Sequence, residues 1–150
     1  MRKMRKLVGV LSVAASVAAF VPAGTEAQNA PLVVSTDRGG VIGERVTAID
    51  RIRALRQRVE IRGPLCLSSC TMLLGAGDVC VDPDAKLGFH GPSLYGRPLT
   101  EDQFDYWSEI MATYYPEPLR RWFMKEARFR IAGYYTVTGE NVIELGVKRC

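Results

Sequence analysis

The feature that most constrains this chain is its beginning. Arg2, Lys3, Arg5 and Lys6 precede an apolar run from Leu7 to Val21, which is followed by Pro22, Gly24 and small residues around Ala23 and Ala27. A basic region, an apolar stretch of about fifteen residues and a small-residue cleavage region are the layout of a secretory signal peptide. The stretch is shorter than the roughly 20 residues a helix needs to span a bilayer. Residues 1–27 are therefore expected to be a signal peptide, cleaved after Ala27 with Ala23 as second choice. Residues 28–150 are expected to be a single domain, exported to the periplasm or secreted, with no stable membrane span after cleavage. About 123 residues make one core and not two.

Subtracting the leader changes the meaning of the charge, which is +4 for the whole chain. The four basic residues against Glu26 give the leader +3, leaving 16 basic against 15 acidic side chains, or +1, for the rest. Nucleic acid needs a clustered positive face rather than a near-balanced total, so no nucleic-acid partner is expected. With 47% apolar and 24% charged residues, the chain is not a disordered one.

Export also sets the chemistry of Cys66, Cys70, Cys80 and Cys150, which would mature where disulfides persist. Four cysteines allow three full pairings, and the sequence does not choose among them. With Cys70 opening a helix, Cys66 on the turn before it and Cys80 on the strand after it, Cys66–Cys80 with Cys70–Cys150 is the expected arrangement. A zinc site would need paired C-x2-4-C knuckles, which the spacing lacks, so no metal and no cofactor are expected.

Leu32–Ser35 reads as a buried strand ending at Asp37-Arg38-Gly39-Gly40, a glycine pair suited to a tight turn. Val46, Ile49, Ile52, Leu55 and Val59 recur at helical spacing from Glu44 to about Glu60, with Arg45, Arg51, Arg53, Arg56 and Arg58 as a solvated basic side. A short stretch from Ile61 breaks at Gly63-Pro64. Thr71 to Gly77 is apolar with small residues, as in a helix buried on most sides. Val79–Val81 and Lys86–His90 read as strands joined by the Asp82-Pro83-Asp84 turn. Helices follow, one with Thr100 and Gln103 as a capping box before Phe104, Trp107 and Ile110, one from about Glu117 to Arg130, and one from Glu140 to Leu145 ending at Gly146. Strands alternating with helices predict an α/β domain with a mainly parallel sheet. The aromatic residues Phe104, Tyr106, Trp107, Tyr114, Tyr115, Trp122 and Phe123 read as core or subunit interface. A small sheet with few covering elements predicts a homo-oligomer.

Three segments carry the functional signal. One strand ends in Gly39-Gly40, a strand-to-helix turn holds Ser68-Ser69, and the only histidine, His90, ends a later strand in Gly-Phe-His-Gly-Pro. Parallel strands place their carboxyl ends along one edge, where the three turns converge. Acyl transfer by serine needs a hydroxyl nucleophile, a base, and two N–H groups aimed at the developing oxyanion. Ser68 is the candidate nucleophile and His90 the candidate base, with the N–H groups of Gly39 and Ser69 as the candidate oxyanion hole. Each residue taken singly is more often a helix cap, a structural histidine or a common turn.

The order and spacing of Thr36-Asp37-Arg38-Gly39-Gly40-Val41-Ile42, Cys66-Leu67-Ser68-Ser69-Cys70-Thr71 and Leu87-Gly88-Phe89-His90-Gly91-Pro92 resemble the ClpP/crotonase superfamily, especially its exported Clp-protease-proteolytic-subunit-like proteins. More faintly, Thr138 to Val147 is similar to the family's closing helix and strand. The resemblance implies a core of stacked β-β-α units, here shortened at the N-terminus, with a helical C-terminal part. It implies an ATP-independent serine hydrolase, most simply a peptidase, taking a peptide or small acyl substrate through a Ser68–His90 dyad. Serine members of the family complete a triad with an aspartate, and the corresponding stretch here, near Gly133-Tyr134-Tyr135, has none. Asp102, Glu140 and Glu144 are the substitutes considered, and the third member stays unknown. The alternative is an inactive relative that binds a peptide or partner in the same cleft.

Overall fold

A computed structural model of the chain describes residues 30–150. The signal-peptide reading of residues 1–27 lies outside the described residues.

The domain is α/β, with a mixed, curled six-stranded sheet and several helices. Strand β1 (Leu32–Asp37) leads through the glycine pair into helix α1 (Ile42–Ala54), and β2 (Val59–Leu67) follows. A 3₁₀ helix, Ser68–Gly75, precedes β3 (Val79–Val81) and β4 (Lys86–Phe89). Helices α2 (Glu101–Ala112) and α3 (Glu117–Lys125) and a 3₁₀ turn (Ala127–Phe129) then precede β5 (Tyr135–Thr138), α4 (Gly139–Glu144) and β6 (Lys148–Arg149).

The curl originates in β2, which exchanges neighbours along its length. Its first half pairs with β3 (Val59↔Val79, Ile61↔Val81) and its second with β4 (Leu65↔Lys86, Leu67↔Gly88), both in parallel. The Gly63-Pro64 step lies between the two halves, so what reads in sequence as a break is the interior of one nine-residue strand. β1 pairs in parallel with the other side of β2, with a register shift between Val34 and Thr36. β6 extends the sheet in parallel beyond β3, and β5 closes it antiparallel to β4.

Several expectations are corrected. β1 is an edge strand paired only with β2, and of its residues only Val34 is buried, while Val33 is 53% exposed. Helix α1 stops at Ala54 instead of running to Glu60. Arg56 adopts a left-handed conformation (φ +50°), and the Gln57 and Arg56 N–H groups return to the Ile52 and Arg53 carbonyls. Those bonds satisfy orphan carbonyls at the helix end without the glycine that marks such a stop in sequence. Val59 therefore belongs to β2, and Leu55 is exposed. Thr100 precedes α2 but makes no side-chain capping bond, so the capping box is absent. Helix α3 ends at Lys125 rather than Arg130. β5 is an additional strand that the residue pattern does not announce.

The expected cysteine pairing is also wrong. The disulfides are Cys66–Cys70 and Cys80–Cys150. Cys66 and Cys70 flank one turn, with Cα atoms 5.3 Å apart, while Cys80 on β3 lies beside β6, which delivers Cys150 (Cα–Cα 4.9 Å). All four sulfurs are used in these two bonds.

The basic side of α1 is partly structural. Arg45 pairs with Asp37 at 2.6 Å, and Arg53 donates to the Gly75 carbonyl and lies over the Tyr114 ring. Phe89, at the end of β4, is buried and meets Tyr115 and Trp122 edge-on, with centroids 5.5 and 5.6 Å away. Such contacts contribute about 0.5–1.5 kcal/mol each beyond area burial. They anchor the strand end that carries His90. Among the described residues, no helix is long and apolar enough to cross a membrane.

Candidate functional site

The carboxyl ends of three neighbouring strands build the site. Asp37 is in register with Cys66, and Leu67 with Gly88, so the segments leaving β1, β2 and β4 start side by side. Gly39 lies against Ser68, where a Cβ in place of its hydrogen would sit 2.6 Å from Ser68 Cβ and 2.8 Å from the Leu67 carbonyl oxygen. Its φ of +90° independently requires glycine.

Ser68 itself is left-handed (φ +58°) although it is not glycine. A conformation of that kind costs on the order of 1–3 kcal/mol and persists only where the surroundings impose it. Two restraints are evident. The Cys66–Cys70 bridge closes around the turn, and the Thr71 hydroxyl donates to the Ser68 carbonyl at 2.8 Å. Thr71 Oγ1 is also 2.8 Å from the buried Tyr115 hydroxyl. A threonine hydroxyl has one proton, so with that proton on the Ser68 carbonyl, Tyr115 is the donor to Thr71. Burial pushes the Tyr115 phenol well above its usual value and keeps this donor protonated.

The two serines have separate fates. Ser68 is half-buried and lines a cleft of about 690 Å³. Ser69 is fully buried, does not line the cleft, and its hydroxyl has no hydrogen-bond partner. His90 lines the same cleft, with Arg38, Gly40, Trp107 and Tyr134. Ser68 and His90 thus line the same cleft, without a hydrogen bond between their side chains, while Gly39 packs against Ser68. The Gly39 N–H donates to Asp37 Oδ1 at 2.8 Å, so it is engaged, and Gly40 is the glycine on the cleft wall.

His90 is half-buried and its Nδ1 has no hydrogen-bond partner, so no carboxylate holds that nitrogen. Burial lowers its pKa below the usual histidine value, partly offset by the Gly91 backbone. Burial thus favours the neutral imidazole. Tyr134 meets the ring edge-on, with centroids 5.1 Å apart and planes at 77°. Gly91 lets the chain press against the Arg128 backbone, where a Cβ would overlap the Arg128 carbonyl, and its N–H donates to the Arg130 carbonyl at 2.8 Å. Of the substitute acids, Asp102 and Glu144 are exposed and Glu140 pairs with Arg149 at 2.6 Å; none lines the cleft. Among the described residues, the acid that does is Glu44, in the first turn of α1.

Three cleft features were not expected from residue pattern or spacing. Trp107 belongs to the cleft wall rather than to the core. Another wall comes from a tight hairpin in which Leu94 and Arg97 exchange backbone bonds of 2.9 and 3.1 Å, with Tyr95 at its tip 92% exposed. The Tyr95-Gly96 pair between Leu94 and Arg97 was the available turn signal, since both adopt positive φ. Tyr134 against His90 carried no local signal. Compared with known proteins, the chain matches no family model and no curated protein.

Proposed function

We propose that this protein is an exported serine hydrolase of the ClpP/crotonase type, acting as a peptidase through Ser68 and His90. The observation that carries the reading is Ser68. A non-glycine residue in a left-handed turn, at the head of a buried helix, lines a cleft that His90 also lines. Constrained residues of this kind cluster where chemistry is done. The two disulfides are compatible with export into an oxidising compartment.

In the proposed reaction, neutral His90 takes the Ser68 proton as Oγ attacks the scissile carbonyl, forming a tetrahedral oxyanion. The Ser69 N–H, in the first helical turn, is one donor to that oxygen, which requires the buried Ser69 backbone to open to the cleft when substrate binds, and the glycine turn supplies a second donor. Gly40 fits the second role better than Gly39, whose N–H is engaged by Asp37. The imidazolium then protonates the leaving amine, and water repeats the sequence on the acyl-enzyme. Without an orienting carboxylate the dyad should turn over slowly, as a serine triad loses about 10⁴-fold when its aspartate is neutralised.

The unpartnered Nδ1 and the Tyr134 edge favour a second reading, a ClpP-like binding module that holds a peptide without cleaving it. A fluorophosphonate probe separates the two. Labelling that persists in Ser69→Ala and vanishes in Ser68→Ala supports the hydrolase; a folded wild type that stays unlabelled leaves the binding module.

A further inference from the structure

The cysteine pairing points to a role beyond stability. Cys66 is in β2, Cys70 is in the following helix, and both are fully buried. Their bridge spans a sequence separation of four and encloses Leu67, Ser68 and Ser69. A ring this short removes little freedom from the unfolded chain compared with a long one. Its main effect is local, because it sets the angle at which the helix leaves the strand.

That angle is where the constraint is needed. A strand-to-helix turn with a left-handed residue ordinarily uses glycine, which adopts positive φ without steric cost. Glycine has no hydroxyl, so a nucleophile at this position must be forced into the conformation. Ser68 is forced from both sides. The covalent ring fixes the backbone on either flank, and the Tyr115–Thr71 hydrogen-bond chain fixes the Ser68 carbonyl from the core. Within the same ring, Ser69 turns its hydroxyl inward, where it has no partner, so the ring presents Ser68 alone to the cleft.

We infer that Cys66 and Cys70 are positioning residues, their disulfide serving to hold Ser68 in its attacking conformation, with Thr71 and Tyr115 as the noncovalent half of the same clamp. This rests on the reading of Ser68 as a nucleophile.

The test compares Cys66→Ala/Cys70→Ala with Cys80→Ala/Cys150→Ala, following fluorophosphonate inactivation and thermal unfolding of each purified protein. In the first, the maximal inactivation rate should fall about 10- to 100-fold, the range expected when a reacting atom moves by about 1 Å. The half-saturating probe concentration should stay within about twofold, because the cleft is intact. Cys80→Ala/Cys150→Ala should show the reverse pattern, with the lower unfolding temperature and an unchanged rate. A wild-type rate in folded Cys66→Ala/Cys70→Ala overturns the inference, and so does a loss that simply tracks stability in both proteins. Should Cys66→Ala/Cys70→Ala fail to fold, Thr71→Val/Tyr115→Phe decides with both bridges present. A slowed rate at unchanged half-saturation supports the clamp, and a wild-type rate sinks it. Unlabelled wild type would remove the hydrolase reading and this inference together, whereas labelled wild type with unaffected variants removes the inference alone.

Discussion

Cys66–Cys70 and Cys80–Cys150 are the same bond used over very different lengths of chain. The second has a sequence separation of 70 and ties Cys150 to β3 beside β6, a strand of only two residues. Such a strand holds poorly by its own ladder. The ion pairs around it, Lys148 with Asp78 at 3.0 Å and Arg149 with Glu140 at 2.6 Å, are exposed and worth little each. The long bridge therefore keeps β6 on the sheet. The short one, separation four, leaves the global fold nearly as it would be and shapes a single turn. Loop length decides which of the two tasks a disulfide performs.

The comparison can be broken in several ways. Removing Cys80–Cys150 as a double alanine variant should cost about 4 kcal/mol, the loop-entropy value for a ring of that size, read from equilibrium denaturation. A cost below that of removing Cys66–Cys70 would reverse the assignment. Gly39→Ala should come next, at about 2–3 kcal/mol, because it combines an unfavourable φ with a collision at Ser68. It should also slow probe labelling, and normal stability with normal labelling would show that the turn tolerates rearrangement. Removing Cys66–Cys70 should cost about 2 kcal/mol in the same denaturation experiment.

Reduction sharpens the contrast further. Cys150 is partly exposed while Cys66 and Cys70 are fully buried, so a mild thiol should open Cys80–Cys150 first. Mass analysis of alkylated peptides would show the order, and the partly reduced protein should still label at Ser68.

The smallest effect is on pH dependence. The base must be neutral, and burial places the His90 pKa below its usual value of about 6.5. Labelling should be at its plateau above that value and be lost as pH falls through the lowered pKa. A midpoint above about 6.5 would mean that a carboxylate reaches the imidazole after all.

What was legible in the sequence was local. The Asp82-Pro83-Asp84 turn reads correctly because the Asp82 carboxylate accepts from the Asp84 N–H at 3.0 Å, a bond between near neighbours. The end of α4 near Gly146 reads correctly because a left-handed exit there (φ +101°) favours glycine. The same logic fails at Arg56 and Ser68, which take left-handed angles against their own preference. Backbone bonds within the turn hold the first, and a short disulfide together with a hydrogen-bond chain from Thr71 to the distant Tyr115 holds the second. β5 was missed because Tyr135–Thr138 is only half-buried and takes its identity from pairing with β4.

Residue types and spacing alone determined the α/β class, the presence of a serine, a histidine and a glycine pair at strand ends, and the absence of an aspartate near Tyr134. Tertiary structure decided the rest. It set the cysteine partners, put Gly40 rather than Gly39 on the cleft wall, turned Ser68 outward and Ser69 inward, and set Tyr134 against His90. The reason is physical. Periodicity and turn chemistry act over a few residues, whereas these choices follow from β2 changing partners midway and thereby setting which strand ends lie side by side.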